Sequence, residues 1–161
     1  MAIRTVFYSF HYERDSRRVQ LLLKMGAVQG QQLMQSQEWE SVKRRGPQAV
    51  QKWIDDQMAY KRAVVVLVGS ETASRPWVQY EIKKAWQEKK PLVGIRIHGL
   101  SEMGTTDSPG RNPFEELGIV GPRLFDPTAT DWRGKIDSQQ TYRNLSMNLV
   151  SWIDQAKTRV W

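Results

Sequence analysis

The chain has 161 residues and a formal net charge of +7, with 40% apolar and 25% charged side chains, the balance of one ordinary folded domain. It contains no cysteine, which excludes disulfides, thiolate metal sites and thiol catalysis, and fits a cytoplasmic setting. No apolar run approaches the length of a membrane span, and the short stretch from Ile3 to Phe10 carries Arg4 and is not followed by a small-residue cleavage site, so neither a membrane segment nor a leader is expected. The positive charge suits an anionic small molecule, an anionic membrane, a nucleic acid or simply a solvated surface. No basic run interleaved with aromatics favours nucleic acid. Seven tryptophans imply extensive aromatic burial, an aromatic-lined pocket, or both.

Thr5 to Phe10 is β-branched and aromatic and reads as a buried strand. Asp15 or Ser16 then caps a helix to about Lys24, with Val19, Leu22 and Leu23 inward and Gly26 as its stop. Ala27 to Glu40, rich in Gln and Ser, shows no period and reads as a loop or irregular piece pinned by Trp39 and Val42. Gly46 and Pro47 open a helix whose apolar face is Val50, Trp53, Ile54, Gln57 and Met58. Ala63 to Val68 is a continuous apolar run ended by Gly69, as expected of a central strand covered on both faces. A further helix starts near Ser74 or Arg75, with Val78, Ile82, Ala85 and Trp86 as its buried stripe. Pro91 breaks it, and Leu92 to Ile97 forms another strand. His98 to Pro113 reads as a long loop, mobile without ligand. Leu124 and Phe125 suit a short last strand. Ser138 caps a final helix with Tyr142, Leu145, Leu149, Trp152, Ile153 and Ala156 on one face.

Strands alternating with helices imply a mainly parallel sheet with helices on both faces. Ligands of such sheets sit beyond the carboxyl ends of the strands, where the strand order reverses. Those ends are Phe10 and His11, the run Gly69 to Thr72, and Ile97 and His98. Ser70, Thr72 and Arg75, in the turn leading into a helix, suit a phosphate or carboxylate, or form a plain capping turn. The turn is not a P-loop, and no GxGxxG follows the first strand. Glu81 lies four residues after Trp77 and four before Ala85, at the edge of the apolar stripe. A carboxylate there is partly desolvated, and is either a functional acid or an ion-pair member with Arg75 or Lys84.

The run Val64 to Glu81, with its small-residue turn followed by Trp77 and Glu81, resembles the central strand and next helix of TIR domains. Val6 to Asp15 resembles the first TIR strand and its loop. Gln48 to Gln57 and Gly94 to His98 are similar to the branch that includes the Thoeris anti-phage protein ThsB. The resemblance implies a single doubly wound, flavodoxin-like α/β domain over residues 1–161. It also implies an enzyme that takes NAD+ as substrate, with no separate cofactor or metal, and that releases a cyclic ADP-ribose-type signal acting on a separate effector protein. By the same resemblance Glu81 is catalytic, Phe10 and His11 line the pocket, and Trp77 is the family tryptophan. Many such domains also self-associate. The basic-acidic-x-x-Pro-Gly loop usual in TIR domains is represented only by Arg44, Arg45, Gly46 and Pro47.

One carboxylate suffices for this chemistry. Nicotinamide leaves NAD+ as a neutral base from a cationic nitrogen, so no general acid is needed, unlike ordinary glycoside hydrolysis. A single anion beside the sugar can stabilise the oxocarbenium-like transition state. Tyr12, Trp39 and Trp77 are candidate aromatic shelves or core residues. His11 and His98 read as loop histidines, and two histidines without an acidic pair make no metal site. The competing readings are a non-catalytic TIR-like interaction module and a nucleoside 2-deoxyribosyltransferase-like enzyme, which also sets a carboxylate beside a sugar.

Overall fold

A computed structural model describes residues 5–25 and 36–161. The expected helix stop at Gly26 and the expected irregular piece up to residue 35 fall outside the described residues. The elements are β1 (Val6–Ser9), α1 (Tyr12–Leu23), α2 (Ser36–Arg44), α3 (Pro47–Met58), β2 (Ala63–Val68), a 3₁₀ turn (Thr72–Ser74), α4 (Pro76–Gln87), β3 (Leu92–Arg96), α5 (Pro113–Glu116), β4 (Leu124–Phe125) and α6 (Ser138–Asp154).

The strands form one parallel sheet in the order β1-β2-β3-β4. The register pairs Val6 with Ala63, Val65 with Val93 and Gly94 with Leu124. Among the described residues the strands follow chain order. The expected reversal of strand order is thus not seen among them, while the helices do change face between α1 and α3. α1 packs Val19 and Leu22 on the side that α6 covers with Leu145, Leu149 and Ile153. α3 and α4 cover the opposite side with Val50, Ile54, Met58, Val78, Ile82 and Ala85. Alternate residues of β2 serve the two sides, Val65 and Leu67 one, Val64, Val66 and Val68 the other, which is why its sequence is apolar without a break.

Three local expectations are corrected. The first helix begins at Tyr12, with His11 as its N-cap, and Asp15 is a buried inward residue rather than the cap. Residues Ser36 to Arg44 are helical, including the stretch to Glu40 read as irregular. Trp39 and Val42 do fasten it to the core. The cap of α6 is Asp137, whose carboxylate accepts from the Gln140 N–H at 3.0 Å, and not Ser138.

The segment from His98 to Pro113 is tethered where mobility was expected. The buried Arg18 guanidinium donates to the Leu100 carbonyl at 2.9 Å and to the Thr105 carbonyl at 3.1 Å, and ion-pairs Asp15 and Glu102. The Asp107 N–H donates to the His98 carbonyl at 2.9 Å, and Arg96 donates to the Gly110 carbonyl at 2.6 Å. Gly110 lies so close to the β2 end that a Cβ there would sit 2.2 Å from the Gly69 carbonyl oxygen. No helix among the described residues is long and apolar enough to cross a membrane.

Candidate active site

β1 ends at Ser9 and delivers Phe10 and His11 to the carboxyl edge of the sheet, beside the start of α4. Pro76, at the first position of α4, needs no N–H partner, and its fixed backbone suits a helix start. One turn further in, Glu81 shares the buried face with Val78, Ile82 and Ala85. Between these elements lies a narrow cavity of about 50 Å³, walled by Phe10, His11, Tyr12, Arg75, Trp77 and Glu81, with Trp39 of α2 and Trp53 of α3 across it.

Glu81 is only 6% exposed. The Ser9 hydroxyl donates to its Oε1 at 2.6 Å. Among the described residues no cation stands within ion-pair distance of it. Lys84, a candidate partner by sequence, is engaged elsewhere, with Glu88 at 2.6 Å and Asp55 at 3.6 Å. Burial pushes the Glu81 carboxyl up to about 8, against the opposing Ser9 hydrogen bond. This is a desolvated acid facing a cavity, without the neutralising partner of a structural ion pair.

The cavity wall is aromatic. Phe10 stacks on Tyr12 at 5.4 Å between ring centroids, Tyr12 stacks on Trp39 at 5.0 Å, and Trp39 meets Trp53 edge-on at 6.1 Å. Trp77 packs edge-on against Tyr80 at 5.7 Å. His11 is 8% exposed, and burial, then the nearby Arg75 charge, pushes its imidazole below the usual value. The Arg75 side chain makes no ion pair among the described residues. An ion pair from Lys43 of α2 to Glu13 links α2 to α1, and Lys43 also pairs with Glu40 within α2. His98 lies elsewhere, buried, with Nε2 at 3.3 Å from the Thr128 hydroxyl. Among the described residues no group of His, Cys, Asp and Glu has a metal-holding arrangement.

Residues 7–102 match the family described as Thoeris protein ThsB, TIR-like domain. The chain belongs to the ThsB TIR-like family. Over 121 residues it is 31% identical to a protein of Bacillus cereus (strain MSX-D12) named "Putative cyclic ADP-D-ribose synthase ThsB1". That alignment covers 71% of this chain and 63% of the relative, so the chain spans less than two thirds of the relative's length.

All the cavity-wall residues of this ThsB-type chain fall inside the matched segment, whereas α5, β4 and α6 lie beyond it. Of the residues singled out by sequence, the structure gathers Phe10, His11, Arg75, Trp77 and Glu81 around one cavity. It sets Ser70 and Thr72 apart from it. The Ser70 hydroxyl donates to Asp107 at 2.9 Å, and the wholly buried Thr72 hydroxyl accepts from the Gly69 N–H at 2.7 Å, closing the turn after β2. Ser9 went unnoticed in the sequence. Its signal was a small aliphatic hydroxyl in a strand of large apolar and aromatic residues, in phase with Phe7 and so on the α4 side of the sheet. In place of the usual TIR loop before the second helix, α2 ends at Arg44, and Gly46 (φ 102°) turns the chain into α3.

Proposed function

We propose that this protein cleaves the nicotinamide–ribose bond of NAD+ in the cytoplasm, with Glu81 as the catalytic carboxylate and a cyclic ADP-ribose-type product as a signal in anti-phage defence. The observation that carries this reading is the buried Glu81 carboxylate, unpaired by any described cation, at an aromatic cavity on the carboxyl edge of a parallel sheet. The printed name of the Bacillus cereus relative supports the same substrate class.

The chemistry follows from charge. A cationic pyridinium entering the cavity favours the ionised form of Glu81, which burial otherwise disfavours. As the C–N bond breaks, its electron pair leaves with neutral nicotinamide and positive charge develops on the ribose. The Glu81 anion stabilises that charge in a water-poor pocket, where the effect is largest. Attack by an adenine nitrogen of the same molecule forms a new bond to the ribose carbon and closes a cyclic product, the positive charge passing to the adenine, which sheds a proton. Attack by water gives linear ADP-ribose and releases a proton. The aromatic wall of Phe10, Tyr12, Trp39 and Trp77 offers stacking surfaces for the rings and excludes water. Arg75 and His11 on the cavity wall suit the pyrophosphate, and the nucleotide product is then passed to an effector protein.

The test is release of nicotinamide from NAD+, followed by chromatography, for the wild type and Glu81→Gln, first in buffer and then in lysates of phage-infected cells. Loss of at least about a hundredfold in the variant is expected for a group that stabilises the transition state directly. Equal turnover by the two proteins, or no release under either condition, overturns the proposal.

A further inference from the structure

Ser9 is the small polar residue that ends β1, on the face opposite its neighbour Tyr8, and the structure brings it to the one acid in the buried stripe of α4. Both side chains are buried, Ser9 completely. The Ser9 hydroxyl is 2.6 Å from Glu81 Oε1 and makes no other hydrogen bond among the described side chains. Glu81 Oε2 has no hydrogen-bond partner among the described residues, while Glu81 itself forms part of the cavity wall. We propose that Ser9 is the positioning residue of Glu81, anchoring Oε1 so that Oε2 is the oxygen presented to the ligand.

The inference rests on the reading of Glu81 as the working carboxylate and goes one step behind it. A glutamate on a helix has three side-chain torsions, the last of them broad, so an unanchored carboxylate samples many orientations. A strand residue is a rigid support, and a hydroxyl fixed to one oxygen selects one orientation of the plane. Ser9 has no exposed surface with which to touch a ligand, so it acts only through Glu81. Its O–H also donates to the charged form more strongly than to the neutral acid, which favours ionisation against the effect of burial. Ser9 thus sets both the direction and the ionisation of the same group.

Other ionisable groups share the wall. They are Tyr8 on β1, His11, Tyr12 and Glu13 at the start of α1, and Arg75 ahead of α4; α2 and α3 present only Trp39 and Trp53. A pH–rate profile alone could therefore report His11, and a direct titration of the Glu81 carboxyl is needed beside it.

The experiment compares the wild type, Ser9→Ala and Ser9→Thr, with Glu81→Gln used to assign the Glu81 signal. The side-chain carboxyl of Glu81 is followed by carbon-13 NMR across pH. Nicotinamide release is measured over the same range, and thermal melts confirm folding. Ser9→Ala should move the Glu81 midpoint upward by about one pH unit, a tenfold change in its ionisation constant. The acid limb of kcat/KM, which reports the free enzyme, should move by the same increment, with kcat falling about tenfold and KM little altered. Ser9→Thr, which keeps the hydroxyl, should restore both. An unchanged Glu81 midpoint in Ser9→Ala, or a fall in kcat with no movement of the acid limb, overturns the proposal. If none of the proteins cleaves NAD+, the functional reading fails by itself and the carboxyl titration still decides whether Ser9 governs Glu81. Should Ser9→Ala not fold, Ser9→Cys, a weaker donor of similar size, replaces it with the same upward shift expected.

Discussion

Replacing Glu81 by Gln removes a titratable group from the interior while keeping an oxygen that can accept from Ser9. In the folded wild type the Glu81 carboxyl holds its proton to about 8, against an ordinary value of 4.5. Between those two values the unfolded chain has released the proton and the folded chain has not, so wild-type stability falls as pH rises. At about 1.4 kcal/mol per pH unit, this one group removes about 5 kcal/mol over the whole window, roughly half of it between pH 5 and pH 7. That is a large share of the 5–15 kcal/mol typical of a folded domain. The Gln variant has no such slope. Urea unfolding of both proteins, followed by tryptophan fluorescence at pH 5, 6, 7 and 8, reads the difference directly, because every other titrating group cancels. The variant should gain on the wild type at each step up to about pH 8 and level off above it. A stability difference that stays flat from pH 5 to pH 8 would refute the claim that Glu81 is desolvated and unpaired.

Arg18→Ala leaves Asp15, fully buried and with a carboxyl pushed up to about 6 by burial against the Arg18 charge, without its cation. Unfolding at pH 8 should be easier by about 3 kcal/mol or more, with a smaller loss at pH 5 where Asp15 keeps its proton, and an equal loss at both would contradict the ion-pair account. Gly110→Ala drives a methyl group into the Gly69 carbonyl, a backbone neighbour that cannot rotate away. A loss of about 1–3 kcal/mol is expected in thermal or urea melts, and an unchanged midpoint would mean the loop shifts freely.

The sheet was legible because its strands are written in residues that do one thing. Ala63 to Val68 must be apolar at every position to serve two covered faces, and it stands out from any neighbour. α3 and α4 were legible through their apolar stripes, and Glu81 through its place at the edge of one. What the sequence concealed depends on contacts made far along the chain. Asp15 looks like a cap because helix caps are commonly Asp; only the Arg18 pairing and the approach of Gly69 reveal it as an interior residue. The 98–113 segment has the composition of a free loop, yet its anchors come from Arg18 and Arg96, one of them 82 residues from its partner Leu100. α2 was missed because its Gln, Ser and Glu residues carry little periodic signal, with Trp39 and Val42 its buried apolar contacts. The turn residues Ser70 and Thr72 have the right chemistry for an anion, but spend it on Asp107 and on Gly69.

The tight stack of rings across the cavity has a thermodynamic consequence for any ligand. About 50 Å³ holds a few water molecules and falls well below the several hundred cubic ångströms of a nucleotide site. A ligand of nucleotide size would need the wall to open, and the work of separating its rings, Tyr12 from Trp39 among them, is subtracted from the affinity of whatever enters. A partner that merely held α2 away from α1, across the exposed Glu13–Lys43 pair, would raise that affinity without touching the ligand.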